Sequence, residues 1–170
     1  MIRHSELIFT LDVSVADAPG QARKLKDFLV ERGWITVALE PGPRAWETGA
    51  VDANQGGRMK ILAGPILNMQ GVGMEGPLCP YCNHQMELED LVDVASELST
   101  ENPYPIVRCK NCDREVAYAD WIGTAHPIMS NLTVELDAWM VFQDDPKSPP
   151  LLAEIREEMG GRWIHMWSHF

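Results

Sequence analysis

Apolar and polar side chains alternate along residues 5–15, which predicts a half-buried β-strand. One face of this strand carries Leu7, Phe9, Leu11, Val13 and Val15. A helix is expected next, because Asp17 can cap it, Pro19 suits its first turn and Gly33 suits a left-handed stop. Its apolar stripe consists of Ala22, Leu25, Phe28 and Leu29. Residues 34–40 alternate again, and a second strand there would complete a β-α-β unit.

A similar succession of patterns returns at the C-terminal end of the sequence. Residues 131–142 are rich in strand formers and alternate. Residues 151–159 carry a helical stripe that Gly160 and Gly161 would end. Residues 162–170 alternate again, with Trp163, His165, Trp167 and His169 on one face. These three segments predict a second β-α-β unit.

Two β-α-β units in this order resemble the ferredoxin-like split arrangement, an α+β fold with an antiparallel sheet and two helices on one face. Between the units, residues 41–58 hold four glycines and two prolines and predict a long loop. One short strand is expected at residues 60–63. Residues 1–73 and 126–170 would then form one sheet domain, and residues 74–125 would be an insertion between its halves.

Two C-x-x-C pairs lie within this insertion, Cys79 with Cys82 and Cys109 with Cys112. Each pair can make a tight turn that places two thiolates on one side of a cation, and two such turns complete a tetrahedral site that suits Zn²⁺. Asn83 and Asp113 follow the two pairs, where a left-handed residue is often needed. Strands are expected at residues 105–108 and 115–118, with a helical turn at residues 88–98 in the long gap.

Residues 76–120 therefore resemble a zinc ribbon with rubredoxin-type knuckles. The resemblance maps the metal ligands of that family onto Cys79, Cys82, Cys109 and Cys112. A closed Cys₄ site has no open position for a catalytic water, so the ion would be structural. Zinc is the expected ion, and the sequence does not distinguish it from iron.

The Cys-Pro-Tyr-Cys tetrapeptide at 79–82 also permits a thiol-redox interpretation, since glutaredoxins use it as their active site. There it follows a buried strand and opens a helix that lowers the pKa of the first thiol. Here it follows a glycine-rich stretch, and the second C-x-x-C pair has no role in redox catalysis. We therefore prefer the metal site.

The balance of charge argues for a protein partner. The chain of 170 residues has a formal net charge of −11, and residues 74–125 alone combine ten acidic with three basic side chains. Phosphate binding needs the opposite sign, so nucleic acid is a poor partner for this segment. A basic protein is the expected partner, as for an immunity or inhibitor protein or an adaptor.

Composition places the protein among globular chains, with 45% hydrophobic and 23% charged residues. No apolar run approaches the length of a membrane span, and the N-terminus lacks the charged-then-apolar order of a signal peptide. A cytoplasmic location is expected, where cysteines are thiols or metal ligands before they are disulfides.

Aromatic residues suggest where a partner could bind. Trp46 lies in the glycine-rich loop near Arg44, and Trp163, His165 and Trp167 share a strand face. We expect His165 and His169 to be surface or interface residues, and His84 and His126 near the cysteines to be solvent-exposed. The sequence holds no nucleophile elbow, phosphate-binding loop or dinucleotide fingerprint, and we expect a non-enzymatic protein. The alternative is an enzyme that uses Arg44, Glu47, Asp52 and the C-terminal histidines.

Overall fold

The structure, a computed structural model, describes residues 4–51, 54–69, 75–123, 126–141 and 150–169. It is a mixed α+β structure with a four-stranded antiparallel sheet, a two-stranded sheet and four helices. In chain order the elements are β1 (His4–Thr10), α1 (Ala18–Glu31), α2 (Pro43–Glu47), β2 (Arg58–Asn68), α3 (Leu88–Glu97), β3 (Ile106–Arg108), β4 (Glu115–Ala117), β5 (Ile128–Asp137), α4 (Leu151–Met159) and β6 (Trp163–His169). A single 3₁₀ turn, Tyr118–Asp120, follows β4. Among the described residues, no helix is both long and apolar enough to cross a lipid bilayer.

The large sheet has the strand order β2-β5-β1-β6, and every neighbouring pair is antiparallel. Ile8 of β1 lies opposite Val134 of β5 on one side and His165 of β6 on the other. Helices α1 and α4 pack on this face of the sheet and bury one continuous core. Its fully buried members include Ile8, Leu25, Leu29, Trp34, Leu132, Val134, Leu136, Leu151 and Ile155.

The opposite face of the sheet is covered at one end by the cysteine segment, which we define as residues 75–123. Tyr104 and Ala119 of this segment pack on a buried cluster of Phe9, Leu11, Ile128 and Met166. The Tyr104 hydroxyl donates a hydrogen bond to the Leu11 carbonyl at 3.2 Å. Both Ile8 and Phe9 are fully buried, so the prediction of a half-buried strand is wrong at this end of β1. The strand also ends at Thr10 rather than at residue 15.

The helices predicted from apolar periodicity are confirmed. Helix α1 follows Asp17 and has a proline in its first turn, and Gly33 after it has φ of 75°. The Asp17 side chain accepts a hydrogen bond from the Ser14 hydroxyl at 2.7 Å and makes no cap bond to the helix. Helix α4 ends before Gly160, whose φ is 65°. Glycine takes this left-handed conformation without steric cost, which explains the position of both helix ends.

The strand predicted at residues 34–40 is wrong. Thr36 and Glu40 close a tight turn through a backbone hydrogen bond of 2.8 Å, and Leu39 has φ of 65°. Ile35 makes an isolated bridge with Pro41, so the chain reverses within a few residues. The alternation at residues 34–40 does not correspond to a buried face, because Ile35 is buried whereas Val37 is 73% exposed. The strand that returns to the sheet after α1 is β2.

Strand β2 is longer than predicted. It runs from Arg58 to Asn68 rather than over residues 60–63, and its register shifts between Ala63 and Ile66. Gly64 and Pro65 lie at this irregularity. A proline cannot donate to a sheet, and β2 tolerates one because it is an edge strand. The loop predicted at residues 41–58 is also more ordered than expected, since it contains α2.

Candidate metal centre

The four cysteines are held in two turns of the same backbone design. In the first turn, the Cys79 amide donates to the His84 carbonyl at 2.9 Å and the Asn83 amide donates to the Cys79 carbonyl at 2.9 Å. In the second turn, the Cys109 amide donates to the Arg114 carbonyl at 2.9 Å and the Asp113 amide to the Cys109 carbonyl at 2.8 Å. The two C-x-x-C pairs thus form equivalent knuckles.

Each knuckle depends on a left-handed residue, as the sequence predicts. Asn83 has φ of 58° and Asp113 has φ of 59°. Asn and Asp reach this conformation more readily than other residues that carry a side chain, because their short polar groups can bond locally. This conformation turns the chain back after the second cysteine, so that the carbonyl of the residue after the left-handed one accepts from the amide of the first cysteine.

The two knuckles face each other and bring the four sulfurs together. All four Sγ atoms lie within 4.8 Å of one another. The distance from Cys79 Sγ to Cys112 Sγ is 3.8 Å, and that from Cys82 Sγ to Cys109 Sγ is 3.6 Å. Four sulfurs at about 2.3 Å from a tetrahedral Zn²⁺ lie about 3.8 Å apart. The cysteines are free thiols, and their spacing matches a metal tetrahedron.

Burial and charge differ between the cysteines of a knuckle. Cys79 and Cys109 are fully buried, whereas Cys82 and Cys112 are partly exposed. Hydrogen bonds from the Asn111 side chain and the His84 backbone lower the pKa of Cys82 to about 6. A hydrogen bond from the Arg114 backbone favours the Cys112 thiolate, yet burial and the three neighbouring sulfurs raise the pKa of Cys112 to about 11. The free thiols therefore do not all ionise together, and a cation would be needed to hold four thiolates.

A small core of its own supports the centre. The two buried cysteines pack with Met86, Leu91, Val94, Val116, Tyr118 and Trp121. Strands β3 and β4 flank the second knuckle, and α3 occupies the gap between the knuckles, as the sequence predicts. Lys110 of the second knuckle joins α3 through an ion pair of 2.6 Å with Asp90. Gly76 lies so close to the Met86 carbonyl that an added Cβ would come within 1.8 Å of its oxygen.

The Cys-Pro-Tyr-Cys tetrapeptide does not open a helix. It lies in the first knuckle, and the helix that follows begins only at Leu88. No strand of the large sheet directly precedes it among the described residues. The strand-then-helix setting that a glutaredoxin-like thiol needs is absent from this part of the structure.

The other predicted binding residues begin with those around α2. Arg44 of α2 makes an ion pair with Glu154 of α4, and its guanidinium lies 5.2 Å from the centre of the Trp34 ring. Trp46 is 42% exposed, and its indole donates to the Pro41 carbonyl at 3.3 Å. Glu47, proposed for an enzymatic site, is exposed on α2. Asp52 lies outside the described residues.

The residues proposed on β6 alternate as predicted, but two of them are internal. Trp163 is 4% exposed and its indole donates to the Gly160 carbonyl at 2.9 Å, whereas Trp167 is partly exposed. His165 is also 4% exposed, so the expectation of a surface position is wrong for this residue. Its Nε2 lies 2.6 Å from a carboxylate oxygen of Glu6, which is fully buried. The side chain of His169 lies outside the described residues.

The sequence reasoning missed Glu6. Its carboxylate accepts hydrogen bonds from the Val141 backbone amide at 3.0 and 3.1 Å as well as facing His165. A charged residue on the same strand face as Ile8 could have indicated a buried polar contact. Its partner, His165, follows only from the pairing of β1 with β6.

His126 is a second histidine for which a solvent-exposed position is wrong. It is 1% exposed, and burial lowers its pKa to about 4. Its ring packs edge-on against Tyr118, with the ring centres 5.3 Å apart. His84, in contrast, is partly exposed in the first knuckle.

Part of the sheet face opposite the helices is open. A cavity of about 600 Å³ lies there, against β2, β5 and β1. Its lining combines apolar side chains, including Leu7, Leu62 and Ile66, with an ion pair of 2.8 Å between Lys60 and Glu135. The sequence did not predict this cavity.

Comparisons of this chain with models of protein families, with curated proteins and with solved structures find no match. The cysteine cluster is consistent with a knuckle-type metal site on its geometry alone.

Proposed function

We propose that Cys79, Cys82, Cys109 and Cys112 together bind one structural Zn²⁺ in the manner of a zinc ribbon. The observation that carries this proposal is the approach of four free thiols to within 4.8 Å of one another. Two equivalent knuckles and an edge length that suits a Zn–S tetrahedron support it. Thiolate ligands also suit iron, which makes metal analysis part of the test.

The arrangement of the sheet supports a ferredoxin-like domain with the ribbon as an insertion. In this fold the third strand lies between the second and the first, and the fourth is on the far side of the first. Strands β1, β2, β5 and β6 follow that order, and α1 and α4 pack on one face. The cysteine segment enters after β2 and leaves before β5, at the boundary between the two halves. No activity follows from such a fold.

We propose that the ribbon contacts a basic protein partner in the cytoplasm. Residues 74–125 carry ten acidic side chains against three basic ones. Among the described residues, Arg108 pairs with Asp113 and Glu115, and Lys110 pairs with Glu87 and Asp90. Two of the three cations are thus paired within the segment, and Arg114 lies over the Tyr81 ring at 4.5 Å. The excess of acidic side chains favours a partner of opposite charge. An immunity or inhibitor protein, or an adaptor, fits this chemistry.

Metal analysis of the purified full chain tests the zinc proposal. We expect about one zinc per chain, lost in the double variant C79S/C112S because two of the four ligands are removed. The variant S96A/S99A, which alters two exposed side chains of the same segment, should retain the metal. Substoichiometric metal in the wild type, with thiols that cycle to a disulfide, would overturn the proposal.

Cross-linking followed by identification of the joined residues tests the partner proposal. We expect the cross-links to connect the cysteine segment with lysine- or arginine-rich surfaces. Partners that present only acidic surfaces to this segment would contradict it.

A further inference from the structure

The solvent-facing side of α3 carries an apolar stripe that nothing in the described chain covers. Leu88 is 58% exposed and Val92 is 52% exposed. Residues four apart lie on the same face of a helix, so these two side chains are neighbours. Leu91 and Val94, on the adjacent side of the helix, are buried in the core of the metal centre. The apolar surface of α3 therefore extends beyond the part that this core covers within the described residues.

An acidic stripe runs beside the apolar one. Glu89, Asp93 and Glu97 also repeat every four residues, and none has an ion pair within the described part of the chain. Like charges at this spacing destabilise a helix by about 0.2–0.5 kcal/mol per pair. Glu97 is the last residue of the helix, where a negative charge opposes the helix dipole, and the last turn holds no basic residue. Glu87 and Asp90, by contrast, share Lys110.

A cleft of about 150 Å³ lies on the acidic side of α3. Its lining includes Asp93 and Trp121 together with Arg108 and Lys110, which are paired with acidic residues of the same segment. Trp121 is 5% exposed, and its indole N–H has no acceptor among the described residues. The indole nitrogen itself is buried, so a partner at this side of α3 would meet the charged and apolar side chains of the surface.

We propose that the solvent-facing side of α3 docks a basic amphipathic helix of a partner protein. Lysine or arginine side chains at four-residue spacing would face Glu89, Asp93 and Glu97, and apolar side chains beside them would cover Leu88 and Val92. The proposal rests on the proposed contact with a basic partner and assigns the surface that makes it. A nucleic acid does not fit, because its phosphates would meet the acidic stripe.

The test uses the zinc-loaded full chain and two synthetic peptides. One is an amphipathic helix with lysine at every fourth position beside a stripe of leucines, and the other has serine in place of each leucine. Calorimetric titration should show the leucine peptide binding at least about tenfold more tightly, because burial of even one large apolar side chain exceeds a tenfold change in affinity. Both affinities should fall as salt is raised.

Matched variants locate the surface. The variant E89Q/D93N/E97Q should bind the leucine peptide at least about tenfold more weakly, since three attractive charges are removed. The control E47Q/E157Q/E158Q removes the same number of exposed carboxylates from α2 and α4 and should bind as the wild type does. The variant L88S/V92S should bind the leucine peptide and the serine peptide with equal affinity. The control V15S/V37S, at exposed valines of the sheet domain, should still bind the leucine peptide more tightly.

The outcomes separate this inference from the proposed function. Equal weakening in E89Q/D93N/E97Q and in its control would overturn the α3 surface and leave contact with a basic partner in place. Absence of binding of either peptide to the wild-type protein would overturn both. Circular dichroism and zinc content of each variant, expected to match the wild type, exclude loss of folding as the cause.

Discussion

Glu6 and His165 meet at 2.6 Å in the interior of the sheet domain, where both side chains are almost completely removed from solvent. The pair joins β1 to the edge strand β6, and the Val141 amide donates to the same carboxylate. Because a buried charge is costly unless it is paired and hydrogen-bonded, the three groups depend on one another.

Replacement of Glu6 by alanine should therefore destabilise the protein strongly. Removing one partner of a buried pair costs about 3–5 kcal/mol, since the other polar groups lose their acceptor. Urea denaturation followed by circular dichroism measures the free energy of unfolding. Glu135→Ala, which breaks the more exposed pair with Lys60, is the control and should cost less than about 1 kcal/mol. Equal costs for the two variants would contradict this account of Glu6.

Metal removal should unfold the cysteine segment before the sheet domain. The core around the sulfurs contains only a few buried residues, whereas the sheet has a large separate core. Hydrogen exchange with and without a chelator, under reducing conditions, measures this. We expect loss of protection at residues 78–118 with protection retained in β1 and β5. Uniform protection after the metal is removed would show that the segment folds without it.

The left-handed residue of the first knuckle should be sensitive to branching at Cβ. Asn83→Gly should preserve metal affinity, because glycine accepts φ of 58° without strain. Asn83→Val should weaken it by about tenfold, since the left-handed conformation costs roughly 1–2 kcal/mol even for unbranched residues. Competition with a chromophoric chelator gives the affinities. The two substitutions share a site, so equal affinities would mean that the knuckle does not depend on this conformation.

Gly76 should not tolerate alanine. Its added Cβ would clash with the Met86 backbone, which can relieve the contact only by a shift of the strand-like segment before the first knuckle. We expect a loss of about 1–3 kcal/mol in stability. Gly20→Ala in α1 is the matched control, because no atom lies within 4 Å of its Cβ position, and it should be neutral or stabilising. Thermal unfolding of both variants makes the comparison.

Burial of His126 should make stability depend on pH. Its pKa is about 4 in the folded protein against an ordinary value of 6.5, so the unfolded chain binds the proton more readily. The contribution is fully present above pH 6.5 and is lost as the pH falls towards 4, by about 3 kcal/mol in total. Proton NMR of the imidazole ring should give a midpoint near 4. A midpoint near 6.5 for this ring would contradict its burial.

The cysteine centre could be predicted because its chemistry is encoded locally. A C-x-x-C turn and the left-handed residue after it involve only neighbouring residues, and two such turns have few arrangements other than a shared site. Helices α1 and α4 were predictable for the same reason, since an apolar stripe and a terminal glycine are properties of a single segment.

The sequence by itself determined these local features, and the tertiary structure decided what each strand faces. Alternation predicted β1 but not that the cysteine segment would cover its second face and bury Phe9 as fully as Ile8. It assigned a strand to residues 34–40 because Ile35, Val37 and Leu39 alternate, yet Ile35 packs in the core with α1 and Val37 is exposed. Glu6 and His165 are 159 positions apart, and their contact depends on strand pairing that no local pattern contains. The burial of a side chain depends on every element that packs against its strand or helix. The periodicity of one segment therefore predicts which face is buried but not which element buries it.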